Sequence, residues 1–233
     1  DITKKRMQGD KRTELIFDGT AIHAVELLAA SLHGMLTSPS TPWFSMRYRD
    51  PALQQNDVAN EWLEASLDQM YKAFQRSNFQ QEIHELYYDL VVFGTAAFYV
   101  EAEPNGIRFA CRHIAEICVS ENQDGRVDTV YRHFKMSARA IAMQFAEPNL
   151  SAKIKKDLED DPYKEYDLVH VIYPRSEAGG KASKDKPVAS VYYTADDKQL
   201  LSESGFDEFP FMVTRFVKDS VSTYGRSPAM TAL

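Results

Sequence analysis

The chain has 233 residues, 44% of them hydrophobic and 26% charged. That composition excludes disordered, collagen-like and low-complexity classes and leaves enough apolar material for one large domain or two small ones. Acidic side chains (34) outnumber lysines and arginines (27), giving a net charge of −7, the reverse of the balance in a basic nucleic-acid clamp.

Two cysteines, Cys111 and Cys118, cannot form a disulfide framework and fit a reducing compartment. No uninterrupted apolar run reaches the ~18 residues of a membrane span. The richest stretch, 21–36, is broken by His23, Glu26 and His33. The charged start, DITKKRMQGDKR, has no apolar segment behind it and reads as a solvated, locally basic tail rather than a signal peptide. The chain opens at Asp1 without a methionine and stops at Leu233 inside an expected helix, so it reads as a fragment of a longer protein.

The helical pattern begins at Asp18 or Thr20. Ile22, Val25, Leu28, Ala29, Leu32 and Met35 recur at threes and fours and predict one buried face. Pro39 and Pro42 end that helix. Trp43, Phe44 and Met46 make an apolar knot before Asp50-Pro51. A second helix opens near Asn56 or Asp57 with Val58, Trp62, Leu63, Leu67, Met70, Tyr71 and Phe74 in amphipathic spacing, which puts Trp62 in the core. Ser77-Asn78 interrupts it, and a third helix carries Ile83, Leu86, Tyr87, Leu90 and Val91.

After Gly94 the pattern changes to strands. Residues 95–103 and 107–111 flank the turn Pro104-Asn105-Gly106, and 117–120 and 127–134 flank 122–125. Ile107, Phe109 and Cys111 are expected on the buried side. Ser137 caps a short helix with Ala138, Ile141, Ala142 and Phe145, and 150–158 predicts another. Strands follow at 168–173, 188–194 and 211–217, and the Gly-, Ser- and Lys-rich stretch 176–186 reads as a mobile loop. Helices first and mostly antiparallel strands later make the fold class α+β.

Catalytic motifs fail on inspection. His84-Glu85-Leu86-Tyr87-Tyr88 lacks the second histidine of a zinc-protease helix. Cys111 and Cys118, with His113 between them, do not have finger or ribbon spacing and read as buried thiols and a satisfied histidine. Gly179-Gly180-Lys181 lacks the rest of a phosphate loop, and no Gly-x-Ser-x-Gly elbow exists. The pairs Asp160-Asp161 and Asp196-Asp197 sit in solvent-like contexts. The sequence therefore offers no catalytic, cofactor-binding or metal-ligating residue, and no cofactor is expected. The aromatic residues mostly occupy core positions and are better explained by packing and subunit contact than by base stacking.

Four segments in order resemble the head-to-tail connecting (portal) proteins of short-tailed, T7-like bacteriophages. They are FDGTAIHAVELLAASLHGMLTSPSTPWFSMR, WLEASLDQMYKAFQRSNFQQEIHELYYDLVVFGTAAFYVE, DGRVDTVYRHFKMSARAIAMQFAE and YGRSPAMTAL. The resemblance implies a polar tail over 1–12, a portal wing region over 13–226 and the start of a stem helix over 227–233, with Pro228 at the first helical position. It further implies a homo-oligomeric ring, a dodecamer, at one capsid vertex, assembled with capsid and scaffolding proteins. Such a ring passes double-stranded DNA without sequence specificity and docks terminase and later the tail proteins; it belongs to the virion, and to host cytoplasm during assembly. A net charge of −7 repeated around a ring repels DNA and suits a low-friction conduit.

A ring needs two different patches on every copy. The candidates for subunit contact are Trp43 and Phe44 in the apolar knot, and Tyr224 and Arg226 at the expected wing-to-stem junction. The helix over 56–74 is a further candidate. A non-viral α+β adaptor that binds peptides or proteins is the alternative reading, and a metal-dependent hydrolase a third, which bound zinc or manganese would reveal.

Overall fold

Phe79, Ile83, Leu86, Tyr87, Leu90 and Val91 are spaced to fill one face of a helix, and all six are buried on the helix α4 (Phe79–Phe93). In a computed structural model this helix is the spine of the first of two units. The structure describes residues 18–104, 106–176, 183–218 and 221–232. The chain divides into one unit of Asp1–Arg112 with Met212–Leu233 and a second of His113–Phe211.

Among the described residues three helices precede α4 in the first unit: α1 (Thr20–Leu36), the single turn α2 (Pro51–Gln54) and α3 (Asp57–Arg76). Asn56 caps α3 by accepting the Ala59 N–H at 3.1 Å, and Ser77 and Asn78 separate α3 from α4. Strand β1 (Thr95–Glu103) pairs antiparallel with β2 (Gly106–Arg112), Phe98 opposite Cys111 and Val100 opposite Phe109. The buried cluster joins Phe79, Ile83, Leu86 and Leu90 of α4 to Ala96, Phe98 and Phe109 of this hairpin and to Ala29 of α1.

Strand β2 is an edge, and its outward backbone groups are claimed by side chains of the α4 start. The Asn78 amide accepts the Phe109 N–H at 2.9 Å and donates to the Phe109 carbonyl at 2.8 Å, while Glu82 accepts the Cys111 N–H at 2.7 Å. The edge is thereby closed to stray strand pairing. The Cys111 thiol donates to buried Asp89 at 3.8 Å. Burial first, and then the neighbouring carboxylates Asp89, Glu82 and Glu85, push its pKa up, so the thiolate is disfavoured.

The second unit is a five-stranded antiparallel sheet in sequence order, β3 (Ile117–Glu121), β4 (Val127–Ser137), β5 (Glu165–Pro174), β6 (Val188–Thr194) and β7 (Leu200–Phe206). Between β4 and β5 run α5 (Ala138–Gln144), capped by Ser137, and α6 (Ala152–Asp160), capped by Ser151. Ile141, Phe145 and Ile154 of this insertion bury against Tyr166, Leu168 and Leu201. His170 is buried beside Tyr192, its cross-strand partner, and shares a 2.9 Å hydrogen bond with Ser190. Strand β8 (Phe211–Arg215) then returns the chain to the first sheet, whose order is β2-β1-β8. The α+β class is what the order of segments predicts.

Several expectations need correction. The predicted buried face of α1 is largely outside: of its six residues only Ala29 is fully buried, and Met35 is 82% exposed. Trp62 is not core but 64% exposed, and Val58 is 76% exposed. The side of α3 that packs carries Leu63, Leu67, Tyr71 and Phe74. Cys118 is exposed, not buried. On β2, Phe109 and Ala110 are both buried while Ile107 is exposed, so the expected alternation fails where both faces of the sheet are covered. Strand β7 and the turn α2 had no clear signal, β7 because Ser202, Glu203, Ser204 and Gly205 dilute its apolar residues. The tail over 1–12, Asn105 of the first turn and most of the 176–186 stretch, with Gly179-Gly180-Lys181, lie outside the described residues.

These placements separate two substitutions. Trp62→Ala should change the urea-unfolding free energy by no more than about 0.5 kcal/mol. Phe98→Ala, at a wholly buried ring, should cost about 3–5 kcal/mol. A Trp62→Ala loss of that larger size would return Trp62 to the core.

Candidate functional site

The first unit holds one backbone junction at which side chains are excluded. Helix α4 ends at Gly94, whose φ of 74° is left-handed and closes the helix through a 3.0 Å bond from its N–H to the Leu90 carbonyl. Against that turn lies the returning segment after β8. A Cβ added at Gly94 would stand 2.5 Å from the Arg226 carbonyl carbon and the Ser227 nitrogen; one added at Gly225 would stand 2.3 Å from the Gly94 oxygen. Only glycine on both sides permits this approach.

Hydrogen bonds fix the register. The Phe216 N–H donates to the Gly94 carbonyl at 2.9 Å, and Val217 and Arg226 exchange backbone bonds at 2.9 and 3.3 Å. The Gly225 N–H donates to the buried Thr95 hydroxyl at 2.7 Å. Residues 224–227 alternate, Gly225 and Ser227 buried, Tyr224 and Arg226 exposed. The Ser227 hydroxyl then accepts the Met230 N–H at 2.9 Å and caps α7 (Pro228–Ala232), with Pro228 at its first position. The start of the last helix is therefore anchored to the end of α4.

The structure places the four candidate contact residues in two groups. Trp43 and Phe44 are adjacent, half-buried rings 4.7 Å apart, set among Tyr71, Phe74 and Phe79. The Tyr71 hydroxyl accepts both their N–H groups, at 2.9 and 2.8 Å, and donates to the Phe44 carbonyl at 2.7 Å. Their aromatic surface is thus largely spent inside this unit. Tyr224 and Arg226 present their side chains outward on either side of Gly225. Sequence reasoning missed Gly94, Thr95 and Gly225, although Gly94 was visible as the break between helical and strand periods.

The described residues of this unit enclose depressions, of which two bear on the site. One, of about 270 Å³, is apolar and runs between α1 and α7, lined by Ala21, Val25, Leu28, Val91 and Ala229. The other, of about 560 Å³, is of mixed character and takes Ala73, Arg76, Asn78, Glu103, Ile107 and Arg108. Asn78 is already committed to Phe109, and Arg108 lies 3.8 Å from Glu103. No group of three His, Cys, Asp or Glu side chains among the described residues is arranged to hold a metal ion. No helix among them is long and apolar enough to cross a membrane.

Comparison with known proteins places the chain. A family model described as "Bacteriophage head to tail connecting protein" matches residues 1–233. The chain belongs to this family. It is 33% identical over 239 residues to the portal protein of Salmonella phage epsilon15, and 30% identical over 234 residues to the probable portal protein of Bordetella phage BPP-1. The alignments take in 100% and 98% of this chain but 43% and 42% of those relatives. The chain thus spans less than half the length of the curated relatives it matches. Membership removes the ground for a non-viral adaptor.

The junction generates a mutational contrast. Gly225→Ala should destabilise the first unit by about 1–3 kcal/mol through overpacking, and Thr95→Val by about 1–3 kcal/mol by orphaning a buried N–H. Gly34→Ala, in the last turn of α1 with nothing within 4 Å of the new Cβ, should be neutral or stabilise by up to about 0.5–1 kcal/mol. Thermal unfolding followed by circular dichroism checks all three, and a neutral Gly225→Ala would contradict the close contact.

Proposed function

We propose that the chain is the wing region and stem start of a phage portal subunit, a structural part that makes and breaks no bond. In this reading copies of the full-length protein close into a ring, a dodecamer, at one vertex of the capsid. Double-stranded DNA passes through it during packaging and ejection. Terminase docks on it during packaging and the tail proteins afterwards, and capsid and scaffolding proteins surround it. Its place is the virion, and the host cytoplasm during assembly.

The observation that carries the reading is the family match along the entire chain, with portal relatives at 33% and 30% identity. Physical features support it. The net charge of −7 gives a conduit wall little hold on phosphates. Apolar residues of α1 and α3 remain uncovered, as expected of a chain that completes its burial on other copies. The anchored junction before α7 suits a part that must hold a following helix in a fixed direction, and Tyr224 and Arg226 lie in it as exposed residues.

The test is direct. The full-length protein should give closed rings in negative-stain images and one dominant oligomer by native mass spectrometry. Tyr224→Ala and Arg226→Ala should lower the ring yield more than they alter the melting of the monomer. Monomers alone under all conditions would overturn the reading.

A further inference from the structure

We propose that His33 of α1 and His84 of α4 together take one divalent transition-metal ion of the zinc class, which clamps the two helices to each other. The site stands independently of the ring.

Along the chain the site is invisible. His84 opens a His-Glu pair on α4 with no second histidine four residues on, so the helix alone cannot chelate an ion. The fold supplies the missing imidazole from another helix. Helix α1 packs on α4, and His33 in its last turn meets His84, the ring centroids 5.6 Å apart and the planes tilted by 51°. With Zn–N bonds of about 2.0–2.1 Å, two imidazoles on one ion have centroids roughly 5–6 Å apart. The spacing therefore suits one shared ion.

His33 is held in the way metal-bound histidines are held. Its Nε2 lies 2.7 Å from the Gln80 side-chain oxygen. With that oxygen as acceptor, Nε2 carries the hydrogen and Nδ1 keeps its lone pair. An imidazole that donates one N–H to a carbonyl oxygen and offers its other nitrogen has the usual outer-shell support of a ligand. Gln80 stands one turn before His84, so α4 carries both the second ligand and the group that aims the first. Both histidines are half-buried, and the His84 ring nitrogens have no hydrogen-bond partner among the described residues. A half-buried imidazole without a partner has donor capacity to spend.

Ligand type selects the ion. Neutral imidazoles suit zinc, copper or nickel, whereas magnesium and calcium take oxygen donors. No Cys, Asp or Glu among the described residues joins the pair as a third ligand. Water therefore completes the coordination, and the site is a clamp between helices instead of a hydrolytic centre. It acts where packing is thin, because Ala29 is the one fully buried residue of α1. Beyond the helix end, Thr37 adds a 3.3 Å hydrogen bond to the Tyr87 hydroxyl.

The experiment is a zinc titration of the full-length protein, free of any histidine tag, by isothermal calorimetry with thermal melts alongside. One zinc per chain should bind and raise the melting temperature, and magnesium should do neither. His33→Gln and His84→Gln should each weaken zinc binding by about tenfold or more. His84→Cys, which keeps a zinc donor, should retain it. His113→Gln and His133→Gln, at exposed histidines of the second unit, should leave it unchanged. A readout on the wild type needs no variant: zinc should protect His33 and His84, but not His113, from carbethoxylation by diethyl pyrocarbonate, followed by peptide mass spectrometry. A wild type that binds no zinc, zinc binding undiminished by either glutamine substitution, or labelling of His33 and His84 unchanged by zinc would each overturn the site. The ring reading survives all three.

Discussion

A contact between two stretches of bare backbone organises the first unit. Gly94 ends α4, the helix that buries the most side chains, and its turn accepts Gly225 and Ser227 at distances no side chain would allow. The N–H of Gly225 finds the hydroxyl of Thr95, the residue that opens β1. Helix end, strand start and returning segment therefore meet within two residues. Helix α7 takes its direction from that meeting, because the same Ser227 caps it.

The complementary feature is what this unit leaves uncovered. Helix α4 saturates its surroundings, whereas α1 and α3 show apolar residues to solvent. Inside one chain those residues add little to stability. In the proposed ring they would provide area between copies.

Much of this was legible in the sequence. Long periodic segments with polar caps announced α3, α4 and α5, and Asn56 and Ser137 cap where the pattern puts them. The hairpin of β3 and β4 followed from Asn122-Gln123-Asp124-Gly125. What periodicity does not contain is the identity of the surface that covers an apolar face. Trp62 has core spacing, yet α3 has two apolar faces and only one is covered by the described residues. Likewise Gly225 looked like one residue of a family segment. Its partner Gly94 lies 131 positions earlier, and no local pattern links them.

Hydrogen exchange at the Gly225 amide tests the central contact most directly. Locked on the buried Thr95 hydroxyl, this amide should exchange as slowly as the Leu90 and Val91 amides in the core of α4. Exchange at the rate of an open loop, while α4 stays protected, would contradict the account.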